Sequence, residues 1–173
     1  METELRKNKT KVMVKMAVMI ALIYLATFFI KIPSINGYTH LGDCMIFLAV
    51  LILGTKRGAV AGGIGAALAD YLGGYMVWVI PTFFIKMIMA CIMGVVTEKV
   101  FPKLRFGWII GAVLGGAVQV VSYTLARVPL FGLGAAIAEL PMLILQTVSG
   151  IVIASVLVSV LKESGIINKV RQL

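Results

Sequence analysis

Apolar residues in this chain come in long unbroken runs separated by short polar breaks, with no strict alternation. Six runs stand out, at about 12–30, 44–53, 58–72, 77–96, 108–126 and 140–161. Runs this continuous predict helices surrounded by apolar matter. Four of them reach the roughly 20 residues that a helix needs to cross a ~30 Å hydrocarbon layer. The second and third fall short, so they either extend into their flanks or sit as tilted or broken elements covered by neighbours. Such irregularity is a mild pointer to a binding site. The pattern predicts an all-α membrane protein of six transmembrane helices, with residues 1–173 as a single integral membrane domain in the lipid bilayer.

Composition agrees with the pattern. The chain is 61% hydrophobic and 13% charged, against about a quarter charged in soluble domains, and its mean hydropathy is +1.05. The N-terminal METELRKNKTKVMVK is too charged and mixed for a cleaved signal, so the first run reads as a retained span. Cys44 and Cys91 form no CxxC or zinc spacing and read as small core residues. No metal or cofactor site is expected. GxxxxGK[ST], GxSxG and HExxH are absent, and the single histidine excludes most intramembrane metalloenzyme designs.

The net charge of +9 is distributed as a membrane anchor, not as a nucleic-acid surface. With six spans, thirteen cations fall on one side: Arg6, Lys7, Lys9, Lys11 and Lys15, then Lys56 and Arg57, Lys99, Lys103 and Arg105, and finally Lys162, Lys169 and Arg171. Only Lys31 and Arg127 fall on the other, and Lys86 lies within a span. This bias predicts a multi-pass protein with both termini in the cytoplasm. His40, Asp43, Asp70 and Glu139 then lie toward the outer side, as a solute-collecting pocket would require.

Each candidate residue has a bland reading beside the functional one. In His40-Leu41-Gly42-Asp43, Asp43 could cap the following helix. An imidazole beside a carboxylate also offers donor, acceptor and charge to a small polar ligand. The glycine-dense stretch 58–70 lacks the third glycine and the preceding strand of a dinucleotide loop. Its small residues at four-residue spacing, Gly58, Gly62 and Ala66, instead suit close packing of membrane helices. Beyond Asp70, Tyr75 and Trp78 could stack on a flat ring or sit at the lipid interface. Lys86, deep in its span, needs a partner; Asp70, Glu139 or a ligand would serve. Glu139, Gln146 and Ser149 share one helix face, where Gln146 could meet a ligand or another helix. Ala17 and Ala21 form an AxxxA pair, suited to packing within the chain or to docking another membrane protein.

GYTHLGD, IFLAVLILGTKRGAVAGGIGAALADYLGGY and IKMIMACIMG together resemble the S component of energy-coupling factor (ECF) vitamin transporters, in its hydroxymethylpyrimidine/pyridoxine-like branch. The likeness runs from the first span through ELPMLILQ. It implies six helices, a pocket open to the outside and gating by the first and third loops. It also implies docking through Ala17 and Ala21 onto a transmembrane coupling subunit that works with two cytosolic ATPases. Such a protein would be a binding subunit, not an enzyme, taking up a small water-soluble vitamin or precursor through His40, Gly42, Asp43, Asp70, Tyr75, Trp78, Lys86, Glu139 and Gln146. Two other readings are open on the residues alone. One is a stand-alone proton-coupled transporter using Asp43, Asp70 and Glu139. The other is an intramembrane enzyme built on His40 and Asp43.

Overall fold

A computed structural model describes residues 2–34, 37–165 and 169. Each apolar run becomes a helix: α1 (Glu2–Phe29), α2 (Gly42–Leu53), α3 (Thr55–Leu72), α4 (Met76–Val95), α5 (Gly107–Phe131) and α7 (Leu140–Glu163). A short α6 (Leu133–Ala138) precedes α7, and a π-helical turn (Val96–Val100) extends α4. Between α1 and α2 lies a feature that apolar periodicity does not predict, a two-stranded antiparallel hairpin of β1 (Lys31–Ser34) and β2 (Gly37–His40). Its register pairs Lys31 with His40 and Ser34 with Gly37.

Four helical stretches are long and apolar enough to cross a membrane. Their outward faces are apolar at helical spacing, as with Ile80, Phe84 and Ile88 on α4 or Val148, Val152, Val156 and Val160 on α7. Water would not tolerate such faces in this number, whereas lipid solvates them. The chain is thus an all-α membrane protein carrying one small hairpin. The short second run stays short: α2 has 12 residues, about 18 Å at 1.5 Å per residue, and its burial among neighbours supplies what its length does not.

Small residues decide the packing. A side chain added at Gly58 would lie 2.5 Å from the Cα of Val50, and one at Gly62 would lie 2.8 Å from the Ile46 side chain. Helices α2 and α3 therefore touch almost backbone to backbone, as the four-residue spacing implies. Gly54, with φ of 81°, makes the reversal between them in a conformation that other residues rarely adopt. The main apolar core, including Ile23, Ile46, Phe47, Met89, Met93 and Ala112, fills the half of the bundle away from the hairpin. A smaller cluster of Trp78, Ile85, Tyr123 and Leu143 lies toward the hairpin. The far end carries the exposed cations Lys56, Arg57, Lys99, Lys103, Arg105 and Lys162.

Candidate functional site

The hairpin end of the bundle holds a partly open cavity. Tyr38 and His40 on β2 form its roof, Asp70 on α3 and Trp78 and Thr82 on α4 one side, and Tyr123 and Arg127 on α5 with Leu143 and Gln146 on α7 the rest. On α5, Tyr123 and Arg127 are four apart and so share a face. About 30 Å3 of it is open to the centres of water molecules, room for about two of them.

Beneath the cavity lies a buried polar network. Lys86 Nζ donates to Asp43 Oδ1 at 2.5 Å and to Gln119 Oε1 at 2.7 Å. Gln119 Nε2 donates to Asp43 Oδ2 at 2.8 Å and to Thr147 Oγ1 at 3.1 Å. Gln146 Nε2 reaches the same Asp43 oxygen at 3.2 Å, and its Oε1 accepts from the His40 backbone N–H at 3.3 Å. One carboxylate thereby ties α2, α4, α5 and α7 together, with β2 attached through Gln146. A fully connected network of this kind rigidifies its surroundings, whereas a broken one is costly.

His40 is held in a defined state. Its Nδ1 accepts from the Gly42 N–H at 3.0 Å, so that nitrogen carries no proton. Burial, reinforced by the nearby Lys86 charge and opposed by Asp43, holds its pKa down to about 3. The imidazole is neutral at physiological pH and offers a ligand no charge. Gly42 makes the geometry possible: a side chain there would lie 2.0 Å from Thr27 Oγ1 and 3.0 Å from His40 Nδ1.

The roof is latched. The Tyr38 hydroxyl donates to Asp70 Oδ1 at 2.5 Å, and its ring packs on Tyr75 with centroids 4.6 Å apart. Burial first, and then the Asp70 charge, push the Tyr38 phenol far above its ordinary range, so it remains a donor. Lys31 lies over both tyrosine rings, at 5.3 and 5.6 Å. On the far wall, Arg127 Nη2 lies 3.6 Å from Glu139 Oε1 and its guanidinium sits 4.7 Å over the Trp78 ring.

The expected site residues fall into three groups. His40, Gly42, Asp43, Lys86 and Gln146 converge on the network, while Asp70 and Trp78 line the cavity beside His40 and Gln146. Tyr75 and Glu139 stand behind the wall, each packed against a residue that lines it. Two expected pairings are corrected. Asp43 caps nothing, because no side-chain cap forms at the start of α2 and both its oxygens are taken by Lys86, Gln119 and Gln146. Lys86 pairs with Asp43, not with Asp70 or Glu139, since the bundle places the start of α2 against the middle of α4. Packing of the Ala17/Ala21 pair within the chain is not seen either, for both residues are exposed on α1.

Sequence reasoning missed Tyr38, Thr82, Gln119, Tyr123 and Thr147, and counted Arg127 only as a loop cation. A signal was present on α5, where Gln119, Tyr123 and Arg127 recur every four residues on one face of a largely apolar helix.

The sequence profile of the family described as "ECF-type riboflavin transporter, S component" matches residues 7–163. A protein of Pyrococcus woesei, described as an uncharacterized protein in gap 3'region, is 40% identical over 134 residues, covering 78% of this chain and 88% of the relative. The thiamine precursor transporter HmpT of Lactococcus lactis subsp. cremoris (strain MG1363) is 28% identical over 139 residues, covering 80% of this chain and 78% of that protein. A bundle of lipid-facing helices closed over a polar cavity, matched along nearly its whole length by one profile, belongs to the ECF-type riboflavin transporter S-component family: a transport subunit for a vitamin or precursor, not an enzyme.

Proposed function

We propose that this chain captures a small, flat, water-soluble vitamin or vitamin precursor of the hydroxymethylpyrimidine or pyridoxine size class at the outer face of a bacterial-type plasma membrane. It then releases the ligand inward when a partner complex, a transmembrane coupling subunit with two cytosolic ATPases, hydrolyses ATP. The observation that carries this reading is the cavity itself, with aromatic walls, a few convergent polar groups and a hairpin roof over a rigid polar floor. Small-molecule sites have this composition.

The family description names riboflavin, whereas a smaller ligand would ask for less expansion of the cavity. A cavity with about 30 Å3 open to water centres must expand even for a single six-membered ring, and a three-ring flavin would force the walls apart. The name of the Lactococcus relative, a thiamine precursor transporter, points the same way. Entry requires the Tyr38–Asp70 hydrogen bond to break and the hairpin to lift. The network around Asp43 is satisfied without any ligand, so it can stay fixed while the roof moves.

Orientation follows from charge. The exposed cations at the end remote from the hairpin support a cytoplasmic location for that end and for both termini of one integral membrane domain. The cavity then faces outward. Exposure of Ala17 and Ala21 among the uncovered apolar residues Met13, Val14, Val18, Leu22 and Leu25 supports α1 as the face that meets the coupling subunit.

Thermal stability of the purified protein in detergent, measured against a panel of B vitamins and their precursors, tests the proposal. A ligand at a hundred times its dissociation constant stabilises the folded state by about 2.7 kcal/mol, enough to raise Tm visibly. A folded sample that responds to no member of the panel would sink it.

A further inference from the structure

The seam between α5 and α7 changes character along its length. Its end remote from the hairpin carries two adjoining pockets that share Arg105, Trp108 and Lys162. Lys103 lines one of them and the exposed Glu163 the other. Arg105 and Lys162 are exposed, and among the described residues neither has a carboxylate within ion-pair distance. The remaining acid in these walls, Glu98, is engaged elsewhere, since its Oε1 accepts from the Thr55 backbone N–H at 3.0 Å.

Toward the membrane interior the same seam becomes an apolar groove of about 380 Å3, with Val113 and Ala117 of α5 on one bank and Val148 and Ile151 of α7 on the other. Val113 and Val148 are half-exposed. The floor closes where the helices touch, for a side chain added at Gly116 would lie 2.3 Å from Thr147 Cγ2. Helical spacing joins the groove to the basic end. Ile109, Val113 and Ala117 recur every four residues on α5, as do Ile151, Ser155 and Ser159 on α7, so pocket and groove open on one side of the seam. Val113 and Ala117 lie about 9 and 15 Å along α5 from its first residue, Gly107. That is the depth of one half of a ~30 Å hydrocarbon core.

An outward groove in a membrane is open to acyl chains, and the basic end adds charge where headgroups lie, beside an indole of the kind that settles at that level. A free anion would use the cations but not the groove. A neutral lipid would use the groove but not the cations. A second copy of this chain, packed through the same face, would bring like charges together at the basic end. We infer that a phospholipid with an anionic headgroup occupies this seam, its phosphate held by Arg105 and Lys162 and one acyl chain lying along the groove. The seam lies apart from α1, which packs on α2 and α3, so a lipid there leaves the α1 face uncovered. Through Thr147, whose hydroxyl accepts from Gln119, the lipid supports the seam across which the polar network passes from α5 to α7.

Thermal melting of the full-length protein in a neutral detergent, titrated with lipid, tests the inference. The probes are dioleoyl phosphatidylglycerol, phosphatidylcholine with the same chains, and glycerol 3-phosphate. Phosphatidylglycerol should raise Tm at a concentration about thirtyfold lower than phosphatidylcholine requires, as two cations facing an anionic headgroup imply. Glycerol 3-phosphate at the same concentrations should leave Tm unchanged. In the double variant Arg105→Gln, Lys162→Gln the preference should shrink to about twofold or less. Lys56→Gln with Arg57→Gln, exposed on α3 away from the seam, should keep it. Ala117→Trp, which fills the groove, should blunt the response to both lipids. Equal potency of the two lipids, an equal response to glycerol 3-phosphate, or a preference that survives loss of Arg105 and Lys162 overturns the inference. So does a dimer, seen by light scattering, that Ala117→Trp abolishes, since the groove would then belong to a second copy. The lipid series on the unmodified protein decides the matter even if a variant does not fold.

Discussion

Lys86 on α4 and Asp43 in the first turn of α2 form an ion pair from which both side chains are fully excluded from solvent, with Nζ 2.5 Å from Oδ1. The surrounding amides of Gln119 and Gln146 satisfy what the pair leaves open. Removing one partner strands a buried charge, so Lys86→Met or Asp43→Ala should each cost about 3–5 kcal/mol. The double substitution removes both charges but orphans the two glutamines, and should therefore recover only part of the loss. Thermal melting in mild detergent measures all three. Strict additivity of the single effects would mean that the pair is not coupled.

Gly42 makes a second prediction, about space instead of charge. Its missing side chain leaves room for Thr27 Oγ1 at a position only 2.0 Å from where a Cβ would stand. Gly42→Ala should destabilise by about 1–3 kcal/mol through overpacking and should weaken ligand binding by displacing His40. Adding Thr27→Ala should restore part of the stability, since the Thr27 Cβ at 3.1 Å and His40 Nδ1 at 3.0 Å remain close. No recovery in the double variant would place the strain elsewhere.

Six apolar runs were enough to locate α1 to α5 and α7, because lipid demands continuous hydrophobicity and a helix is the structure that spends it well. The hairpin escaped notice because strands of four residues, one containing Pro33, are too short to show a period of two. Lys86 announced from sequence alone that it needed an acid, but not which one, since helix neighbours are set by three-dimensional packing. The glycines that seat α3 on α2 were legible as a packing motif. Gln119 and Thr147 were overlooked as single polar residues within apolar helices, where one such residue reads as noise until a partner appears. Arg127 looked like a loop cation because α5 runs on to Phe131, beyond the apolar run that marked it.

Acid should loosen the hairpin end. The unfolded chain protonates His40 near pH 6.5, whereas burial holds the folded value down to about 3. Between those limits the unfolded state binds the extra proton, so this residue's contribution to stability is complete above about pH 6.5 and declines as pH falls toward 3. Comparing Tm at pH 7 and pH 5 should show a larger drop for the unmodified protein than for His40→Gln. Equal drops would assign the acid sensitivity to other groups.

The latch predicts a kinetic effect. Tyr38→Phe keeps the ring contacts with Tyr75 but removes the hydrogen bond to Asp70. Ligand dissociation, followed by the fluorescence of the wall residue Trp78, should accelerate by about tenfold or more. Unchanged dissociation would separate hairpin movement from ligand exchange.

Ala17 and Ala21 provide a test confined to transport. Replacing either with Leu adds bulk to an exposed face of α1, far from the cavity lining. Ligand affinity of the isolated subunit should stay unchanged, while uptake by cells carrying the complete transporter should fall sharply. Normal uptake would move the docking face elsewhere on the bundle.

Where α2 meets α3, the contact runs through backbone and missing side chains at Gly58 and Gly62, and the main apolar core lies in the half of the bundle away from the hairpin. Cohesion of the α2–α3 seam and the lining of the cavity therefore reside in different residues. Lining positions such as Leu143 and Thr82 can be exchanged during evolution, and the cargo altered, without dismantling the helical seams. A fold organised in this way can diversify its diet while keeping its architecture.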